Sequence, residues 1–117
     1  MLSLHGRVAI AIVLYLSAVG LWGLVLGVRG SGPTPSFVGS LVIAEIAAVT
    51  QGLLGIALLF SRPPSQSLHV LYGFALASAL PLAATVVRKR ERRTASFTFA
   101  LVALFAAGLA IRGMTTA

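Results

Sequence analysis

The sequence predicts an all-α fold: an integral membrane four-helix bundle, up-down-up-down, with both termini on the outer side. Three observations carry this. Of the 117 residues, 58% are hydrophobic and 9% charged, where soluble domains carry about 25% charged residues. The apolar residues gather into four runs, each close to or beyond the ~20 residues that cross ~30 Å of hydrocarbon as a helix. Short linkers of Gly, Pro, Ser or arginine separate the runs. Lipid offers no water to satisfy backbone amides, so such runs fold as helices. A single transmembrane domain over 1–117 is expected.

The first helix is expected over about 6–28. Its uncharged stretch, Val8–Val28, has 21 residues. A signal-peptide core has about 7–15, so this helix is expected to be retained. "RGSGPTPS" (29–36) ends it with glycines and prolines. The second helix is expected over about 36–61. "SRPPSQS" (61–67) follows, and its Pro-Pro pair cannot continue a helix. The third is expected over about 67–87, kinked at Pro81. "RKRERR" (88–93) is a charged hinge before the fourth helix, over about 94–112. Loops this short make successive helices antiparallel neighbours. Small residues then mark the packing faces: Gly20, Gly23 and Gly27; Gly52 and Gly55; Gly73 and Ala77; and Ala100, Ala103, Ala107 and Ala110.

Charge sets the orientation. Loops 29–36 and 88–93 hold six basic residues: Arg29, Arg88, Lys89, Arg90, Arg92 and Arg93. The opposite end holds three: Arg7, Arg62 and Arg112. The basic excess marks the cytoplasmic face, and a bacterial inner membrane is the expected location. The net charge of +7 therefore reads as topology, and no nucleic-acid partner is expected. The expected partners are the lipid bilayer and other membrane subunits or a second copy of the chain.

Composition removes several chemistries. With no cysteine there is no disulfide, thiolate metal site or thiol nucleophile. The only acids are Glu45 and Glu91, which disfavours paired-carboxylate catalysis. Enzymatic activity is left open, with none expected from the chain alone.

The topology brings the two histidines, His5 and His69, to the outer end, with Arg7, Arg62 and Arg112 at the same level. Two imidazoles can bind heme iron from either side, and arginines pair with propionates bidentately. His5 and His69 are thus the candidate axial ligands of a heme b, with Arg62 and Arg112 facing its propionates. The competing reading is that these are interfacial anchors. Gln51, and Tyr72 one turn inside His69, are further candidate contacts to a cofactor. Tyr15 and Thr50 are expected to hydrogen-bond between helices. Glu45 lies ~13 Å into the second helix. A charged carboxylate at that depth costs several kcal/mol, so Glu45 is expected to be protonated or paired. Ser78 is the candidate partner at matching depth, in a proton or ion site or as a simple structural pair.

The stretch "QGLLGIALLFSRPPSQSLHVLYGFALASALPLA" (51–83) resembles a helical hairpin of heme A synthase and, more loosely, the four-helix heme-b membrane proteins of the cytochrome b561 type. A Gln followed by Leu-Gly leads into an outward-going helix. A short outer loop and a histidine opening the returning helix complete the pattern. The resemblance implies that His69 ligates heme and that Gln51 and Gly55 line the pocket. The outer cysteine pair of many such synthases is absent, so it implies heme binding rather than heme oxidation.

Three functional readings remain open. The first is a small heme-b-binding electron-transfer or accessory subunit of a respiratory or redox membrane complex. The second is a cofactor-free structural or assembly subunit. The third is a small proton-coupled transporter centred on Glu45.

Overall fold

The computed structural model describes residues 2–59, 68–88 and 90–116. The helices are α1 (Leu2–Val28), α2 (Pro35–Leu59), α3 (Leu68–Val87) and α4 (Arg92–Thr116). Each is long and apolar enough to cross a membrane. At 1.5 Å per residue they measure roughly 30 to 40 Å. Together they form a rod of 48 × 22 × 20 Å.

The observed ends differ most from the sequence expectation at two points. α1 starts at Leu2 rather than near residue 6, which places His5 inside its first turns. α4 extends past 112 to Thr116. No Gly-Pro or Pro-Pro breaker occurs at either place, so nothing stops the helix. α3 continues as a helix through Pro81.

The α1–α2 connection is closed by local chemistry. Gly30 has φ +76°, a conformation that glycine adopts without steric cost. Its amide donates to the Gly27 carbonyl (3.0 Å), and Ser31 N–H donates to Leu26 O (2.8 Å). This pair is a Schellman cap. Thr34 caps α2 by accepting the Phe37 amide on its Oγ1 at 3.1 Å. Pro35 at the first helical position has no amide to leave unsatisfied.

The bundle is a ring in which α1 meets α4 and α2, and α3 meets α4 and α2. The α1–α4 interface is the most extensive, and α2–α3 the least. Its core holds Ile12, Leu16 and Val19 of α1, Phe37 and Leu41 of α2, Leu76 and Leu80 of α3, and the alanines of α4. Ala100 and Ala103 are fully buried. The Phe37 ring, also fully buried, meets Trp22 (centroids 5.3 Å) and Phe99 (6.4 Å) edge to face, an arrangement that aromatic quadrupoles favour.

Only the α1 and α4 stripes pack as small-residue faces. A Cβ on Gly23 would lie 2.9 Å from Ala100 Cβ and 3.2 Å from Ala100 Cα, and one on Gly27 would meet the Phe97 ring at 2.8 Å. A Cβ on Gly52 or Gly73 would meet nothing within 4 Å. On α2 and α3 the small residues therefore do not mark a tight helix–helix contact.

The outward faces of all four helices are apolar. Leu14 is 66% exposed and Phe74 67%, and Leu53, Leu101 and Phe105 are comparably bare. Most hydroxyls on these helices bond to their own backbone: Ser17 Oγ to Val13 O (2.7 Å), Thr50 Oγ1 to Ile46 O (2.8 Å), and Thr98 Oγ1 to Thr94 O (2.8 Å). Thr50 thus makes no interhelical link. Tyr15 does, donating to Ser40 O of α2 at 3.0 Å.

Candidate functional site

At one end of the rod the start of α1, the end of α2, the start of α3 and the end of α4 converge. Polar side chains there have few alternatives to one another. Gln51 of α2 donates from Nε2 to the His5 carbonyl at 2.9 Å. His69 of α3 donates from Nδ1 to the Gly113 carbonyl of α4 at 2.8 Å. Gly113 lies in the last turn of α4, where carbonyls lack a donor within the helix.

These two bonds bring the imidazoles together. Their centroids are 6.1 Å apart, with ring planes at 69°. With a carbonyl as its partner, Nδ1 of His69 is the donor of this bond. Nδ1 of His5 is buried and has no hydrogen-bond partner, and so is Oε1 of Gln51. A Cβ on Gly55 would lie 3.5 Å from His5 Cε1, an ordinary van der Waals distance, so α2 passes beside the ring at a separation that a side chain would also allow. Tyr72, half-buried, lies under the Arg112 guanidinium, 5.8 Å from ring centroid to Cζ.

The sequence-derived set is therefore largely gathered: His5, Gln51, His69, Tyr72 and Arg112 share one end. Arg62 lies outside the described residues. Arg7 is exposed. The Gly113 carbonyl is a member that sequence reasoning missed, since a backbone acceptor leaves no mark in the residue types.

Glu45 and Ser78 are not joined. Glu45 is half-buried, with Oε1 buried and unpartnered, while Ser78 is exposed on α3. Matching depth along two helices does not place two side chains on facing sides.

The opposite end gathers both basic loops. Arg93 Nε donates to Gly27 O at 2.9 Å and its guanidinium lies over Phe97, 5.7 Å from the centroid. Ser96, fully buried, donates to Ser31 O at 2.7 Å. The Arg92 side chain lies against Gly32.

Among the described residues, no group of three or more His, Cys, Asp or Glu could hold a metal ion. A bare zinc site commonly needs three or four protein ligands. Two imidazoles alone suit a metal that brings its own equatorial ligands, as porphyrin iron does. No family model, characterised protein or solved structure matches this chain significantly.

Proposed function

We propose that this chain is an integral membrane heme-b protein, with His5 and His69 as axial ligands, serving as an electron-transfer or accessory subunit of a redox membrane complex. The observation that carries the reading is the His5–His69 pair at 6.1 Å with His69 oriented by Gly113 O. Metal-ligating histidines commonly donate their second ring N–H to a carbonyl or carboxylate, which fixes the tautomer and aims the free nitrogen. Two rings that each bond one metal at about 2 Å stand with centroids roughly 6 Å apart.

The unpartnered atoms fit the same account. Were iron held by His5 Nε2, Nδ1 would carry a proton and need an acceptor, a role that the unpartnered Gln51 Oε1 on the neighbouring helix would fill. Arg112, with Tyr72 beneath it, supplies positive charge for a propionate. When bound, the heme supplies a one-electron carrier; the protein supplies two neutral nitrogens, their orientation and an apolar surround. The membrane reading is supported by four apolar helices whose outward faces are also apolar. Loops 29–36 and 88–93 are assigned to the cytoplasm by their basic excess.

The test is an absorption spectrum of the detergent-purified protein from heme-sufficient cells. A Soret band is expected in the wild type and is lost in His69→Ala. A colourless wild type refutes the proposal.

One observation favours a second reading. The buried, unpartnered oxygen of Glu45 suits a proton site inside the span, as in a small proton-coupled transporter. Glu45→Gln, nearly isosteric, is expected to keep its helical circular dichroism and to lose proton flux in vesicles. Flux equal to wild type would eliminate this reading.

A further inference from the structure

We propose that the basic end of the bundle holds an anionic phospholipid, with its phosphate on Arg88 and Arg90 and one acyl chain in the groove between α3 and α4. This rests on the membrane reading but not on heme.

The groove is a depression of about 280 Å³ lined by Ala79, Ala83 and Val86 of α3 and Thr98, Val102 and Phe105 of α4. Ala79 and Ala83 create it by being small beside larger neighbours. From Ala79 to Val86 it runs roughly 10 Å along the helix. Its lining is almost wholly apolar, and Phe105 at its far end is exposed. In a bilayer such a depression is filled by hydrocarbon, because an empty one forfeits dispersion contacts.

The headgroup preference comes from the charge at the same end of the bundle. Arg88 and Arg90 follow the last turn of α3, just beyond the level of Val86. Arg88 and Arg90 are exposed, and no hydrogen bond, ion pair or ring contact engages either guanidinium among the described residues. Arg93 and Arg92 are differently placed: Arg93 is bound to Gly27 O and Phe97, and Arg92 packs on Gly32. Glu91 is the single opposing charge in the loop, and it accepts from Thr94 Oγ1 at 3.4 Å. The chain thus spends two arginines on closing its loops and leaves two exposed at the end of the bundle where the trough lies. A phospholipid with a net negative headgroup matches both features. A zwitterionic lipid matches only the trough.

The experiment is native mass spectrometry of the full detergent-purified chain, with dioleoyl phosphatidylglycerol and dioleoyl phosphatidylcholine supplied in equal amounts. Each arginine near a membrane surface favours anionic lipid by about fivefold, so with two arginines retention of phosphatidylglycerol is expected to exceed phosphatidylcholine by roughly 25-fold. Arg88→Ala/Arg90→Ala, confined to exposed side chains, should remove the preference and still retain lipid. Val86→Trp, which fills the trough, should retain less of both. Excess inorganic phosphate should leave retention unchanged. Equal retention of the two lipids by the wild type overturns the proposal. So does a preference that survives the double variant, unchanged retention by Val86→Trp, or displacement by phosphate. A chain that stays monodisperse without detergent overturns the membrane reading itself.

Discussion

Polar atoms at the histidine end divide into those with a partner and those without, and the division is informative. His69 Nδ1 and Gln51 Nε2 each found a backbone carbonyl. His5 Nδ1 and Gln51 Oε1 found none. Leaving a buried polar group unsatisfied costs about 1–3 kcal/mol, and under the heme proposal these two atoms are the ones whose bonding the bound state would complete. Gln51→Leu removes both the tether on His5 O and the free acceptor. It is expected to weaken heme retention about 10- to 100-fold, the usual cost of losing a group that orients a metal ligand, with the Soret band still present at saturating heme. Retention equal to wild type in a heme titration would detach Gln51 from the site. Both histidines and Gln51 were legible in the sequence because helix count and loop length place them at one end. The Gly113 carbonyl was not, since any residue carries one. The pairing of Glu45 with Ser78 was drawn from equal depth, and depth says nothing about which way each side chain points.

Along the helices, small residues behave in two ways that their spacing alone does not separate. On α1 they are contacts: Gly23 faces Ala100 and Phe37, with the Ala100 backbone 3.2 Å from an added Cβ. On α2 and α3, Gly52 and Gly73 face open space. Gly23→Ala is therefore expected to destabilise the bundle by about 1–3 kcal/mol, as overpacking does. Gly52→Ala should be neutral or stabilising by up to about 1 kcal/mol, since alanine restricts the unfolded chain without meeting a neighbour. Thermal unfolding in one detergent checks both, and equal shifts for the two variants would contradict the packing described. The α1–α2 linker was readable because its signals are local. Thr34 followed by Pro35 is an N-cap and a first-turn proline, and Gly30 takes the positive φ that a C-terminal cap requires.

For the molecule as a whole, two asymmetries matter. One is radial: apolar residues cover the outside as well as the core, which in water would leave a large unfavourable surface. The other is axial: arginine is concentrated at the end where α1–α2 and α3–α4 turn. If that end is cytoplasmic, alkaline phosphatase fused after Ala117 is active and a fusion within loop 29–36 is inactive. Replacing Arg88, Lys89, Arg90, Arg92 and Arg93 with glutamine leaves one basic residue at that end against three at the other, which reverses the bias, and is expected to reduce activity of the C-terminal fusion several-fold. An inactive C-terminal fusion in the wild type would reverse the orientation.

Residue type and order alone determined the number of helices, their near-antiparallel succession and which residues share an end. Those properties depend on apolar length, on breakers and on a fixed rise of about 1.5 Å per residue, all of which can be counted along a chain. The rotation of each helix about its own axis could not be counted. It emerged from packing, as α1 and α4 closed over glycine and alanine while α2 and α3 stayed loosely apposed. That rotation turned His5 toward His69 and left Glu45 without Ser78. It also opened the trough between α3 and α4, because where a side chain points is a joint property of every helix it can touch.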